Sequence, residues 1–153
     1  MRSVTMRKRV SIGWFFCASL AGMLTIAVMG GLIYGIVFSD FIKANLGPAT
    51  GVMKDPEFLW VGLAHIPFGI LLTLLILWRG DCSASGGIVT GAILGFLMAA
   101  SYDLSQYGTT NLWSLELTLV DPFFSMFMVA VAGGVAGMVL QRAPDGARSL
   151  EGK

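Results

Sequence analysis

Residues 12–38 read IGWFFCASLAGMLTIAVMGGLIYGIVF, 27 residues without a formal charge. A helix needs about 20 apolar residues to cross the hydrocarbon core of a bilayer, so this stretch is long enough to span. It follows Arg2, Arg7, Lys8 and Arg9, the flank of a secretory signal. Its apolar run, however, far exceeds a signal core of about 7–15 residues, and no small-x-small cleavage pattern closes it. The expectation is a retained anchor. Trp14-Phe15-Phe16 before Cys17 also does not look like a lipoprotein cleavage site.

Three further blocks repeat the pattern. In residues 58–78 the one ionisable side chain is His65, residues 86–102 are uncharged, and residues 117–140 hold one charge, Asp121. Only helices and closed barrels satisfy the backbone in lipid. A barrel would show alternating strands of about 10 residues, which these blocks do not. The fold class expected is therefore an all-α integral membrane protein, a four-helix transmembrane bundle. The low charge agrees: 12% of residues are charged, against about 25% in a soluble domain.

The expected organisation is a basic N-terminus at 1–11 and a transmembrane domain at 12–140. The spans fall at about 12–38, 58–78, 86–108 and 117–140, with a polar tail at 141–153. Arg2, Arg7, Lys8, Arg9, Arg79, Arg142, Arg148 and Lys153 fall on one side of these spans, and Lys43 and Lys54 on the other. The Lys/Arg bias of short loops sets orientation, which predicts both termini in the cytoplasm of a bacterial inner membrane. Cys17 and Cys82 then sit at the reducing face, where disulfides are rare. Net charge is +1, so no nucleic-acid partner is expected. The expected partners are the lipid bilayer and a second copy or another membrane subunit.

Between spans, residues 39–57 contain Gly47-Pro48 and Asp55-Pro56, both turn formers. Phe41, Ile42 and Leu46 have the spacing of a short interfacial helix. Residues 79–85 and 109–116 are short turns, which predict antiparallel hairpins between spans two and three and between spans three and four. Trp14, Trp60, Trp78 and Trp113 fall near span ends, the zone that aromatic belts favour.

Span three carries Gly87, Gly91, Gly95 and Ala99 at four-residue spacing, and span four carries Gly133 and Gly137 with Ser125 further out. Small residues on one helix face let backbones approach closely, which is how helices associate in lipid. These glycines are the expected packing residues; Gly31 and Gly35 give span one a similar pair.

The ionisable residues within the spans cluster in depth. Asp103 is 17 residues beyond Gly86, about 25 Å along the axis. Asp121 and His65 are four and seven residues inside their spans, about 6 and 10 Å. All three are expected in the outer third of the membrane. Asp103 continues the glycine stripe of its span, with Tyr102 and Gln106 beside it. Such residues are costly in lipid and default to a functional hypothesis. The candidate polar site is His65, Tyr102, Asp103, Gln106 and Asp121, with Tyr34, Ser105, Tyr107 and Asn111 nearby. The structural alternative is that the carboxyls satisfy helix ends: Asp121 with Pro122 reads as a helix start. No HExxH or other ligand spacing is present, so no metal and no cofactor are expected.

Ser101-Tyr102-Asp103-Leu104 followed by Leu119-Val120-Asp121, with Trp113 in the turn between, resembles a signature of small uncharacterised bacterial four-helix membrane proteins, a domain of unknown function. The stretch from Leu63-Ala64-His65 to Gly69 is similar to their second helix. Where that pattern has an aromatic-Gly pair after the second aspartate, this chain has Pro122-Phe123-Phe124-Ser125. The resemblance implies a topology and no reaction. Three roles stay open: an outward-facing polar pocket for a proton, ion or small solute; a structural or accessory subunit; and a membrane enzyme acting on a lipid or quinone, with His65 and Asp103 as its acid-base pair. A non-enzymatic role is the favoured one.

Overall fold

The computed structural model describes residues 10–49 and 57–144. Arg2, Arg7, Lys8, Arg9, Lys54, the Asp55-Pro56 turn and the tail beyond 144 lie outside the described residues. The chain forms α1 (Ile12–Leu32), a wide helical turn (Ile33–Val37), α2 (Ser39–Ala44), α3 (Phe58–Arg79), α4 (Ala84–Thr109) and α5 (Leu115–Arg142). Four of these helices are long and apolar enough to cross a membrane. The short helix α2 falls in the loop after the first span.

The ends of these helices follow from local chemistry. Gly80 stops α3 with φ of 82°, a left-handed conformation that glycine adopts without the Cβ penalty. Ser83 caps α4 by accepting the Gly86 amide at 3.0 Å. In the same turn, the Ser83 hydroxyl and amide donate to Asp81 at 2.6 and 3.2 Å and hold its carboxyl below the usual carboxylate range. Ser114 caps α5, accepting the Leu117 amide at 3.2 Å, with Glu116 in the first turn. Removing such a cap costs about 1 kcal/mol. Ser114→Ala is expected to lower the melting temperature by roughly 2–4 °C, read by circular dichroism in detergent.

The Ser114 cap revises the reading of Asp121 and Pro122. Helix α5 begins at Leu115, so Asp121 is its seventh residue and stands well past the first turn. Hydropathy alone places the start two residues late, at Leu117, because Glu116 interrupts the apolar run. Pro122 lies inside the helix, where its missing N–H leaves the Thr118 carbonyl without its usual partner.

Packing runs in the order α4–α5–α1–α3. The α4–α5 seam is the most extensive, followed by α5–α1 and α1–α3, while α3 meets α4 and α5 only sparingly. The short turn between α3 and α4 predicts a packed hairpin, but a turn fixes only the helix ends. Helix α3 leans instead on α1, where a Cβ on Gly69 would stand 2.6 Å from the Ser19 carbonyl oxygen. Leu72, Thr73 and Ile76 of α3 are fully buried.

On α4–α5, a Cβ at Gly87 would run into the Gly133 carbonyl, one at Gly91 into the Val129 carbonyl, and one at Gly95 would stand 2.5 Å from the Ser125 carbonyl oxygen. Gly133 meets the Gly87 carbonyl reciprocally, and Gly137 meets that of Ser83. Gly31 and Gly35 differ from the sequence reading: nothing lies within 4 Å of a Cβ at either. The close glycine of α1 is Gly22, facing Leu72 and Ala136 at 3.6 and 3.7 Å.

Candidate functional site: a carboxyl-lined cavity between the helices

At the end of the bundle away from the start of α1, the helices surround a cavity of about 500 Å³. Every span contributes: Ile26 and Tyr34 from the first, Ala64, His65 and Phe68 from α3, Gly95 to Asp103 from α4, and Leu117 to Val129 from α5. The walls are predominantly apolar, as ligand cavities usually are, with a few polar groups converging on them.

Asp103 and Asp121 are both buried, at 1% and 6% exposure. Neither oxygen of Asp103 has a hydrogen-bond donor among the described residues. The two carboxyls stand close enough to interact. Neither serves a helix end. Asp121 is two turns into α5, whose start is capped by Ser114. Asp103 is six residues before the end of α4, where Thr110 donates to the Gln106 carbonyl through its amide at 2.9 Å and its hydroxyl at 2.7 Å. A buried carboxyl without a donor costs several kcal/mol if ionised alone. Two in one buried site need a compensating cation, hydrogen-bond donors or a proton.

Tyr34 comes from the wide turn that ends α1, where the Phe38 amide donates to the Ile33 carbonyl, five residues back, at 2.9 Å. Such wide turns are frequent at functional sites. Its hydroxyl lies 3.4 Å from Ser125 Oγ. The His65 ring lies 2.6 Å from the Val61 carbonyl through Nδ1. A carbonyl only accepts, so Nδ1 carries the proton there, leaving Nε2 as the second polar atom of the ring. Tyr102 packs edge-on against Trp113, ring centres 6.1 Å apart, and both line the cavity.

The cavity is roofed by chain outside the spans. Ile42 of α2 and Leu46 line it, and residues 45–49 are strapped to the α4–α5 turn. The Gly47 amide donates to Leu112 at 2.7 Å, Ala49 to Asn111 at 3.2 Å and Ser114 to Asn45 at 3.1 Å. Leu46 and Trp113 form an isolated antiparallel bridge.

Of the residues singled out from the sequence, His65, Tyr102, Asp103 and Asp121 share this cavity, with Tyr34. Gln106 is outside the lining; it stands one turn nearer the end of α4, where its backbone carbonyl serves the Thr110 cap. Ser105, Tyr107 and Asn111 are also outside the lining, and Asn111 contributes its carbonyl to the strap. Sequence reasoning did not single out Phe68, Met98, Met128 or Leu46 as walls, because apolar residues facing a cavity read like those facing lipid. No group of three or more His, Cys, Asp or Glu among the described residues could hold a metal ion. Neither cysteine forms a disulfide.

Four apolar helices around an internal carboxyl-bearing cavity define a small polytopic membrane protein. Residues 15–138 match the family described as predicted membrane protein DUF2177, and the chain belongs to that family. No curated protein and no solved structure matches it.

Proposed function

We propose that this is a multi-pass protein of the bacterial cytoplasmic membrane whose cavity holds a small solute through Asp103 and Asp121. The observation that carries this reading is Asp103: fully buried, on a cavity wall, with both oxygens lacking a donor. A carboxyl retained for stability would be capping or paired, whereas one retained for binding waits for its partner. The orientation proposed puts the chain ends in the cytoplasm and the cavity toward the outer face. Arg79 and Arg142 at one end of the bundle, against Lys43 at the other, support it.

The test is thermal stability of the full chain in detergent. Asp103→Asn removes the charge and gives Asp121 an amide donor. Relief of about 1–2 kcal/mol predicts a melting temperature between unchanged and roughly 8 °C higher. A fall of several degrees would mean that Asp103 is structural, and would sink the reading.

A second reading is that of a subunit docking on another copy or a membrane partner. What favours it is the exposed Gly31 and Gly35 pair on the first span, which nothing among the described residues covers.

A further inference from the structure

Met98 of α4 lines both the cavity and a second hollow of about 730 Å³ between α3 and α4. That hollow has Leu75, Trp78 and Arg79 on one side and Thr90, Ile93 and Leu97 on the other. It exists because α3 leans on α1 and barely meets α4. The two spaces follow one another along the α3–α4 seam. Thr90 and Asp103 mark their far ends, thirteen residues apart on one helix, about 20 Å.

The seam is also the route in. The strap from Asn45 to Ala49 closes the cavity over the helix ends. Met98 and Tyr102, which line the cavity on α4, are 48% and 58% exposed on the bundle's flank. In a chain that spans a bilayer that flank faces hydrocarbon, so an occupant arrives from the lipid.

The chemistry at the two ends differs. At one end stand the buried Asp103, without donors, and Asp121. At the other, the Arg79 guanidinium donates to the Gly86 carbonyl and to Thr90 Oγ1, both at 3.1 Å. We infer that the occupant is a membrane amphiphile with an amine head and an apolar tail, the ammonium on Asp103 and Asp121 and the tail running past Met98 along the α3–α4 groove. An ammonium brings positive charge to both carboxyls and three donors to a site where Asp103 has none. An anionic head would add negative charge beside two buried carboxyls. A hydroxyl brings a single donor and no charge. Two aromatic rings in the same cavity, Tyr102 and Trp113, suit a cation. Arg79 at the opposite end disfavours the reversed pose.

This inference rests on the cavity reading, and the experiment separates the two. The full chain, with Trp14, Trp60 and Trp78 replaced by Phe so that Trp113 reports alone, is placed in phosphatidylcholine nanodiscs. Quenching of Trp113 by a doxyl-labelled dodecylamine is titrated, and unlabelled dodecylamine, dodecanoate and ethylamine compete. Dodecylamine is expected to displace the label at least about tenfold better than dodecanoate at equal membrane content, a preference of about 1.4 kcal/mol. Asp103→Asn combined with Asp121→Asn should erase that preference. Leu97→Phe, which fills the groove and does not line the cavity, should weaken dodecylamine about three- to tenfold and leave ethylamine unchanged.

Equal competition by dodecanoate, or a groove variant without effect, overturns the amphiphile. If ethylamine then still competes through the aspartates, the cavity reading stands without it. If no amine competes and the aspartate variants behave as wild type, both fail.

Discussion

Gly91→Ala is expected to lower the melting temperature of the full chain by roughly 2–8 °C, while Gly31→Ala leaves it unchanged or slightly higher. The two substitutions add the same methyl group to the same residue type in two spans. In a helix interior alanine is worth about 1 kcal/mol over glycine, which favours both changes equally. What separates them is the space around each Cβ. At Gly91 it would run into the Val129 carbonyl oxygen and stand 2.8 Å from the carbonyl carbon and 3.1 Å from Ala130 Cα. These are backbone atoms of α5 and cannot rotate aside, so the helices must part. Gly87 and Gly133 interlock one turn along, so parting loosens the whole seam. Overpacking of this kind costs about 1–3 kcal/mol and occasionally more, enough to outweigh the propensity gain. The loss is felt in full because helices in lipid have no hydrophobic force holding them together and rely on close packing. At Gly31 nothing lies within 4 Å, so only the propensity term remains. Melting followed by circular dichroism in detergent decides; equal losses at the two sites would mean that the seam is not what holds the bundle.

The same pair of glycines shows where the sequence is informative and where it is silent. Four long apolar blocks require four membrane helices, because the bilayer leaves the backbone no other solution of that length. Four-residue spacing of small residues is legible too, but it is identical at Gly87–Gly91, which is packed, and Gly31–Gly35, which is open. Spacing specifies a face and says nothing of what covers it. The lean of α3 is illegible for a related reason: residues 80–83 fix where α3 and α4 are joined, while Gly69 against the Ser19 carbonyl decides where α3 goes. The start of α5 was written in Ser114-Leu115-Glu116-Leu117 as a cap followed by an acidic first turn. Hydropathy masks it because Glu116 cuts Leu115 off from the apolar run that follows. For the site, counting residues from the span ends sets the depth of His65, Asp103 and Asp121. Rotation about each helix axis, which counting does not determine, decides that Tyr102 lines the cavity and Gln106 does not. The roof over the cavity has no sequence signature beyond Gly47, since it is made of backbone hydrogen bonds.

Gly47→Ala is expected to speed amide hydrogen exchange at position 47, Ala49 and Ser114 on the order of 10–100-fold while leaving the α4–α5 seam protected. A Cβ at Gly47 would stand 2.7 Å from the Asn111 carbonyl carbon and 2.8 Å from that of Leu112, and closer still to the Asn111 oxygen. The obstruction is again backbone, but here it belongs to the turn that accepts the strap. The strap must lift, and its three hydrogen bonds lift with it: Gly47 to Leu112, Ala49 to Asn111 and Ser114 to Asn45. At about 0.5–1.5 kcal/mol net apiece, their joint loss spans the predicted change in exchange. The helices themselves do not depend on those bonds, so melting should move far less than for Gly91→Ala. The consequence for the cavity is specific. Leu46 and Ile42 form its cover, and lifting them admits water to Asp103 and Asp121. Water supplies the donors that Asp103 lacks, and a ligand held by those carboxyls then competes with solvent rather than with a dry wall. A strap that exchanges at the wild-type rate in the variant would show that the close approach of residue 47 to the α4–α5 turn does not hold the roof in place.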